Sequence, residues 1–174
     1  MSIRTLNEIF FTVVERNNDR VMLTRENEAW QPVSSAQLRS WVYSTARQLQ
    51  AWGINKGDRV VILSENRVEW AITDYAALLL GAVVVPIYAT QTAEQVLYVL
   101  QNSEARIAFV SSRQQYEKLS SIREQTALEY VVVMDDAPEL ANAIHIQSFL
   151  RNGQPGPDPE LDAIAAYLTR NNKP

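Results

Sequence analysis

Apolar residues recur along this chain with two different periods, and the switching between them defines its elements. Leu6, Ile9, Phe10 and Val13 follow Thr5-x-x-Glu8 at helical spacing. Thr and Glu three apart can exchange side-chain bonds with each other's backbone amides, so this capping box predicts a first helix running to about Arg16. Residues 21–25 and 29–33 read as short strands around the polar turn Glu26-Asn27-Glu28, a hairpin. Ser34-x-x-Gln37 opens a second capped helix, whose stripe of Leu38, Trp41, Val42, Ala46 and Leu49 stops at Gly53, a residue suited to a helix C-cap.

Beyond Gly53 the alternation becomes regular. The runs 59–63, 82–87, 107–110 and 130–134 are rich in Val and Ile, the composition of strands covered on both faces. Between them lie helical stripes: Val68, Ile72, Tyr75 and Leu79; Val96, Leu97 and Leu100 after Thr92-x-x-Gln95; Tyr116, Leu119 and Ile122 after Ser112-x-x-Gln115. Parallel neighbours need a crossover, and each helical stripe supplies one. The predicted fold is therefore α/β: a largely parallel, doubly wound sheet flanked by helices, with an N-terminal helix and a β-hairpin. Residues 152–159 hold three prolines and two glycines, read as a linker or strap unable to extend a helix. Leu161, Ile164, Ala165 and Leu168 then make one short amphipathic helix. The expected organisation is an α/β unit over 1–151 and a strap over 152–174.

Composition removes several functions. With no Cys and one His, a structural zinc site, an iron–sulfur cluster, a disulfide scaffold and a thiol nucleophile are not expected, and a Ser-His-acid triad would have to run through His145 alone. Twenty Asp and Glu against 16 Lys and Arg give a net charge of −4, without the basic face that nucleic acid requires. The stretch 71–89 is long and apolar, but Asp74, Gly81 and Pro86 interrupt it and its composition turns midway from helical to strand-like, so no transmembrane segment is expected. With no secretory signal, a cytoplasmic protein is the expectation.

Candidate chemistry is sparse. In an open parallel sheet, ligands sit outside the carboxyl ends of the strands. The first such turn, Ser64-Glu65-Asn66-Arg67, has no glycine to let backbone approach a phosphate, and Asn66 reads as a helix N-cap. Asp135 and Asp136 at a strand end read as an acidic turn capped by Pro138 in preference to a metal site or general base, and His145 between two isoleucines as a partly buried strand residue. Trp30, Trp41, Trp52 and Trp70 could line a ligand groove, but three of them fall on faces already assigned to packing, so they are assigned to core or interface. Tyr88 and Thr90, just past a strand end, are the best-placed residues for a substrate channel, with loop packing as the alternative.

Several segments together are similar to one family: Trp30-x-Pro-Val-Ser-Ser-x-x-Leu38, Ala51-Trp-Gly-Ile-x-Lys-Gly-Asp-Arg-Val-Val-Ile-Leu63, Leu78-Leu-Leu-Gly-Ala-Val-Val-Val-Pro-Ile-Tyr88 and the run from Leu97 to Val110. They resemble the N-terminal part of AMP-forming acyl-CoA synthetases, most of all the long-chain fatty-acid–CoA ligases. The resemblance implies a parent that makes an acyl-adenylate from a fatty acid and ATP with Mg²⁺, then passes the acyl group to coenzyme A. It also implies that the family's Thr/Ser/Gly-rich phosphate loop and its later motifs lie beyond Pro174. No catalytic, cofactor-binding or metal residue of the family maps onto this sequence. The expected role is a catalytically incompetent scaffold that partners the rest of the ligase chain, peripheral to membranes in the parent. A face left uncovered, including Trp70 or Tyr88, is expected to self-associate. An independent α/β binding module, or a stub that pairs with a ligase, stays open on the sequence alone.

Overall fold

The computed structural model describes residues 5–26, 29–137, 139–140, 143–151 and 158–171. Helix α1 (Leu6–Glu15) is followed by the antiparallel hairpin β1 (Met22–Glu26) and β2 (Ala29–Val33), then by α2 (Ser35–Ala51). The remainder alternates: β3 (Arg59–Leu63), α3 (Val68–Leu79), β4 (Val83–Ile87), α4 (Ala93–Ser103), β5 (Ile107–Val110), α5 (Arg113–Ser120), β6 (Tyr130–Val133) and β7 (Ile144–His145). The short α6 (Gln147–Leu150) and α7 (Pro159–Asn171) complete it.

Helix ends form where the local chemistry places them. The reciprocal capping boxes at Thr5/Glu8, Ser34/Gln37 and Thr92/Gln95 are all present. Ser112 caps α5 one way only: its Oγ accepts from Gln115 N–H, while the Gln115 side chain turns toward Ala89 and its Nε2 donates to that carbonyl at 3.1 Å. At the end of α2, Gly53 takes φ +75°, and Gly53 N–H to Gln50 O and Ile54 N–H to Leu49 O, at 2.9 and 3.0 Å, close a Schellman turn. Gly81 closes α3 by the same pair of bonds. The N-cap of α3 is Arg67 and no side chain caps it, so Asn66 does not hold the position its residue type suggested.

Five strands form one parallel sheet in the order β4-β3-β5-β6-β7. Successive residues face opposite sides. Val60, Ile62, Ile107, Phe109 and Val132 thus enter a core with α1, α2, α3, α6 and α7, while Val61, Leu63, Ala108, Val110 and Val133 enter a second core with α4 and α5. The chain moves outward from β3 to β4, then jumps back across β3 to β5, so the order reverses between β3 and β5. The four apolar runs are neighbours as expected, and β7 adds a fifth strand at one edge.

Burial of β4 on both faces, expected from its valines, does not hold: Val83 is 50% exposed and Pro86 is exposed. The cause is position, since β4 is the opposite edge of the sheet. Val83 N–H donates to Asp58 O at 2.7 Å, so residues of its parity face β3, whereas Pro86 has the other parity and faces outward. A missing N–H costs no ladder bond there and leaves fewer donors for an added strand.

Residues 152–157 of the expected strap lie outside the described residues, as does the Pro138 cap. Pro159, counted with the strap, instead begins α7. Its missing N–H is harmless in the first turn, and Asp158 Oδ1 accepts from Leu161 N–H at 3.2 Å. Leu161, Ala165 and Leu168 are buried, as the helical stripe implied.

Candidate functional site at the carboxyl rim of the sheet

The reversal of strand order between β3 and β5 splays their following loops apart, and it marks where ligands sit in folds of this kind. Arg67, the last residue before α3, reaches across the opening. Its Nη1 donates to the Ser111 carbonyl at 3.1 Å and to Asp135 Oδ1 at 2.7 Å, and its Nε to Glu69 Oε2 at 2.7 Å. One side chain thereby ties together the loops after β3, β5 and β6. Burial works against the Arg67 charge, but Glu69 and Asp135 outweigh it and raise its pKa. Beside it the Ser111 hydroxyl, helped by Glu65's own backbone amide, holds the Glu65 carboxyl below its usual range.

A cavity of about 440 Å³ opens next to this network. Arg25 and Trp30 of the hairpin form one wall, Asn66 and Arg67 another, and Asp136 and Gln147 close it. Trp30 is 64% exposed, unlike Trp41, Trp52 and Trp70, which pack against the first core. The core-or-interface assignment therefore divides: Trp30 offers a stacking face to the cavity.

The rim's other flank carries the candidate channel residues. Tyr88 is 79% exposed and Thr90 is exposed, on a turn closed by Gln91 N–H to Tyr88 O at 3.0 Å. Lys118 fixes that turn by donating to Ala89 O and Gln91 O at 3.0 and 2.7 Å. Neither Tyr88 nor Thr90 lines the 440 Å³ cavity, so the two features stand apart. Asp135 is an ion-pair partner, Asp136 faces the cavity, and His145 is half-buried in β7 with Nε2 at 3.3 Å from the Leu140 carbonyl. Arg67, Gln115 and Lys118 organise the rim although the sequence marked only Gln115, and that as a cap partner; their partners lie 26 or more residues away for the contacts that matter.

This rim does not fit a magnesium–triphosphate group. Among the described residues no group of three His, Cys, Asp or Glu could hold a metal. The Arg67 guanidinium already serves two carboxylates and a carbonyl, and the Lys118 ammonium two carbonyls. What the rim can do is hold loops in place and present Trp30 and Tyr88 to an apolar or planar partner.

Fold and rim together define a doubly wound α/β unit whose loop end is braced by ion pairs. The chain belongs to the AMP-binding enzyme family, which matches residues 10–168. It is 48% identical over 83 residues to long-chain-fatty-acid–CoA ligase FadD15 of Mycobacterium bovis, covering 48% of this chain and 14% of that protein. To long-chain-fatty-acid–CoA ligase ACSBG2 of Xenopus laevis it is 29% identical over 171 residues, 96% of this chain and 23% of the other. The N-terminal domain of FACL13 from Mycobacterium tuberculosis superposes with a TM-score of 0.69 at 25% identity, covering 88% of this chain and 38% of that one. The chain thus spans less than a quarter of the length of the two curated relatives.

Proposed function

We propose that this chain is the N-terminal scaffold of a long-chain fatty-acid–CoA ligase, a parent that converts fatty acid, ATP and coenzyme A to acyl-CoA, AMP and pyrophosphate. The family match across residues 10–168 carries the reading, and the names of the relatives support the substrate class. Residues 1–151 form its α/β unit and 152–174 lead toward the phosphate-loop region. Tyr88 and Thr90 border the acyl channel, on a turn that Lys118 and Gln115 hold rigid. The parent works in the cytoplasm and rests peripherally on membrane; no helix among the described residues is long and apolar enough to cross one. Alone, the 174-residue chain is incompetent, because Arg67 and Lys118 at its rim are committed to structural partners and no group of three His, Cys, Asp or Glu among the described residues could hold a metal, and it self-associates through the face bearing Tyr88 or Trp70.

The test is fatty-acid-dependent ATP–pyrophosphate exchange. The 174-residue chain is expected to show none, while a ligase of full family length carrying Tyr88→Ala shifts its preference among acyl chain lengths. Exchange by the short chain, or an unchanged preference in the variant, overturns the respective part. Light scattering over a concentration series tests self-association; a strictly monomeric particle contradicts it.

A further inference from the structure

At the amino ends of the strands, opposite the rim, α7 lies across the ends of α2 and α3 and leaves an apolar groove of about 470 Å³. Ile54 and Leu80 form its floor and Ile164, Tyr167 and Leu168 of α7 its wall. A second cavity of about 250 Å³ continues past Leu168, and Lys56 borders both. The Lys56 stem lies against the chain reversal at Gly81: a Cβ built there would meet Lys56 Cγ at 3.2 Å and both Leu168 methyls at 3.0 Å.

The charges around this groove are unequal in their commitments. Glu160, at its far end, has both carboxylate oxygens occupied, one by Arg47 Nη1 at 2.9 Å and the other by Gln50 Nε2 at 3.1 Å. Lys56 is exposed and, among the described residues, has no hydrogen-bond or ion-pair partner. An apolar groove with one uncommitted ammonium on its border suits an anion with a hydrocarbon tail, and it disfavours a cation or a fully polar ligand.

We infer that the groove between α7 and the ends of α2 and α3 is a binding site for a linear amphiphilic carboxylate, its head on Lys56 and its chain along Leu80, Ile164 and Leu168. Because α7 forms one wall, occupancy and α7 docking are linked: whatever unseats α7 destroys the site, and the ligand holds α7 down. The site is separate from Tyr88 and Thr90, at the other end of the strands, so it stands or falls independently of the proposed acyl channel.

The experiment is an NMR amide-shift titration of the 174-residue chain with submicellar dodecanoate, with dodecanol and dodecyltrimethylammonium in parallel. Dodecanoate is expected to give saturable shifts at Ile54, Gly81 and Leu168. Lys56→Met weakens it about tenfold, as loss of a charge-assisted contact does, while dodecanol binding is unchanged. Arg47→Ala, which releases the N-terminal end of α7, weakens both. Non-saturating shifts, shifts confined to the Tyr88 rim, equal binding of the cationic amphiphile, or undiminished dodecanoate binding in Lys56→Met each overturn the inference. Lys56 is at the surface, so that variant remains informative even where Arg47→Ala perturbs the fold.

Discussion

Strand β5 and helix α7 bury apolar residues in the same core, yet they are held there by different means. Phe109 of β5 is fully buried, hydrogen-bonded strands lie on either side, and helical layers cover both faces. Helix α7 has one buried face, and its N-terminal end is seated by side chains. Arg47 grips Asp158 through Nε at 2.7 Å and Nη2 at 2.5 Å and reaches Glu160, while the Tyr43 hydroxyl donates to Asp162. Burial, followed by that bond and the Asp162 charge, raises the Tyr43 pKa. A strand gripped by backbone on both sides opens only with the whole sheet, whereas a helix seated by exposed ion pairs opens locally.

The largest expected effect is at the sheet. Phe109→Ala should cost about 3–5 kcal/mol and lower the urea midpoint of the whole chain, with α7 and β5 unfolding together; loss of α7 structure alone would break the comparison. Gly81→Ala comes next. At φ +74° any Cβ is strained, and this one meets the Leu168 methyls at 3.0 Å, so about 1–2 kcal/mol should be lost. Calorimetric melting measures that loss.

Arg47→Ala should cost about 1 kcal/mol, since the guanidinium is 40% exposed and its pairs are partly screened by solvent. Hydrogen exchange of α7 amides should speed up roughly fivefold with β5 unchanged; equal acceleration in both would contradict local opening. Acid offers the same probe without mutation. Partial burial opposes the Asp158 charge, but Arg47 outweighs it and lowers the pKa; Glu160 is lowered by Arg47 and then by Gln50. With folded pKa values below the unfolded ones, their stabilisation is complete above the ordinary carboxylate range near about pH 4 and fades as pH falls through it. Protection of α7 should therefore decline below that range before protection of β5 does, and stay flat between neutrality and mild acidity.

The smallest effect on stability belongs to Pro86→Val. The residue faces outward from an edge, so melting should barely change, while the restored N–H should increase concentration-dependent association. Light scattering that shows no increase would mean the edge is not what limits pairing.

The same contrast explains what could be read before the structure. Thr5/Glu8, Ser34/Gln37 and Thr92/Gln95 are decided within one turn, and the Val/Ile runs declare strands whatever surrounds them. Whether a strand is inner or edge depends on strand order, so Val83 could not be distinguished from Val61 by composition. Two of the three bonds of Arg67 at the rim reach loops 44 and 68 residues away, and no local pattern marks it. Pro159 is ambiguous in sequence because proline both breaks helices and begins them; the Asp158 side chain, which accepts from Leu161 N–H, decides between the two. Tyr88 and Thr90 reached the surface of the rim as their strand-end position suggests, but the cavity formed on the other flank, where Trp30 arrives from a hairpin distant in sequence.

The central proposal is that this chain is a scaffold in which Arg67 and Lys118 are already committed to structural partners, with nucleotide chemistry supplied from elsewhere in the parent ligase. Isothermal titration calorimetry of the 174-residue chain with MgATP tests it most directly. The account expects no heat attributable to binding up to millimolar nucleotide, and saturable binding in the micromolar range would contradict it.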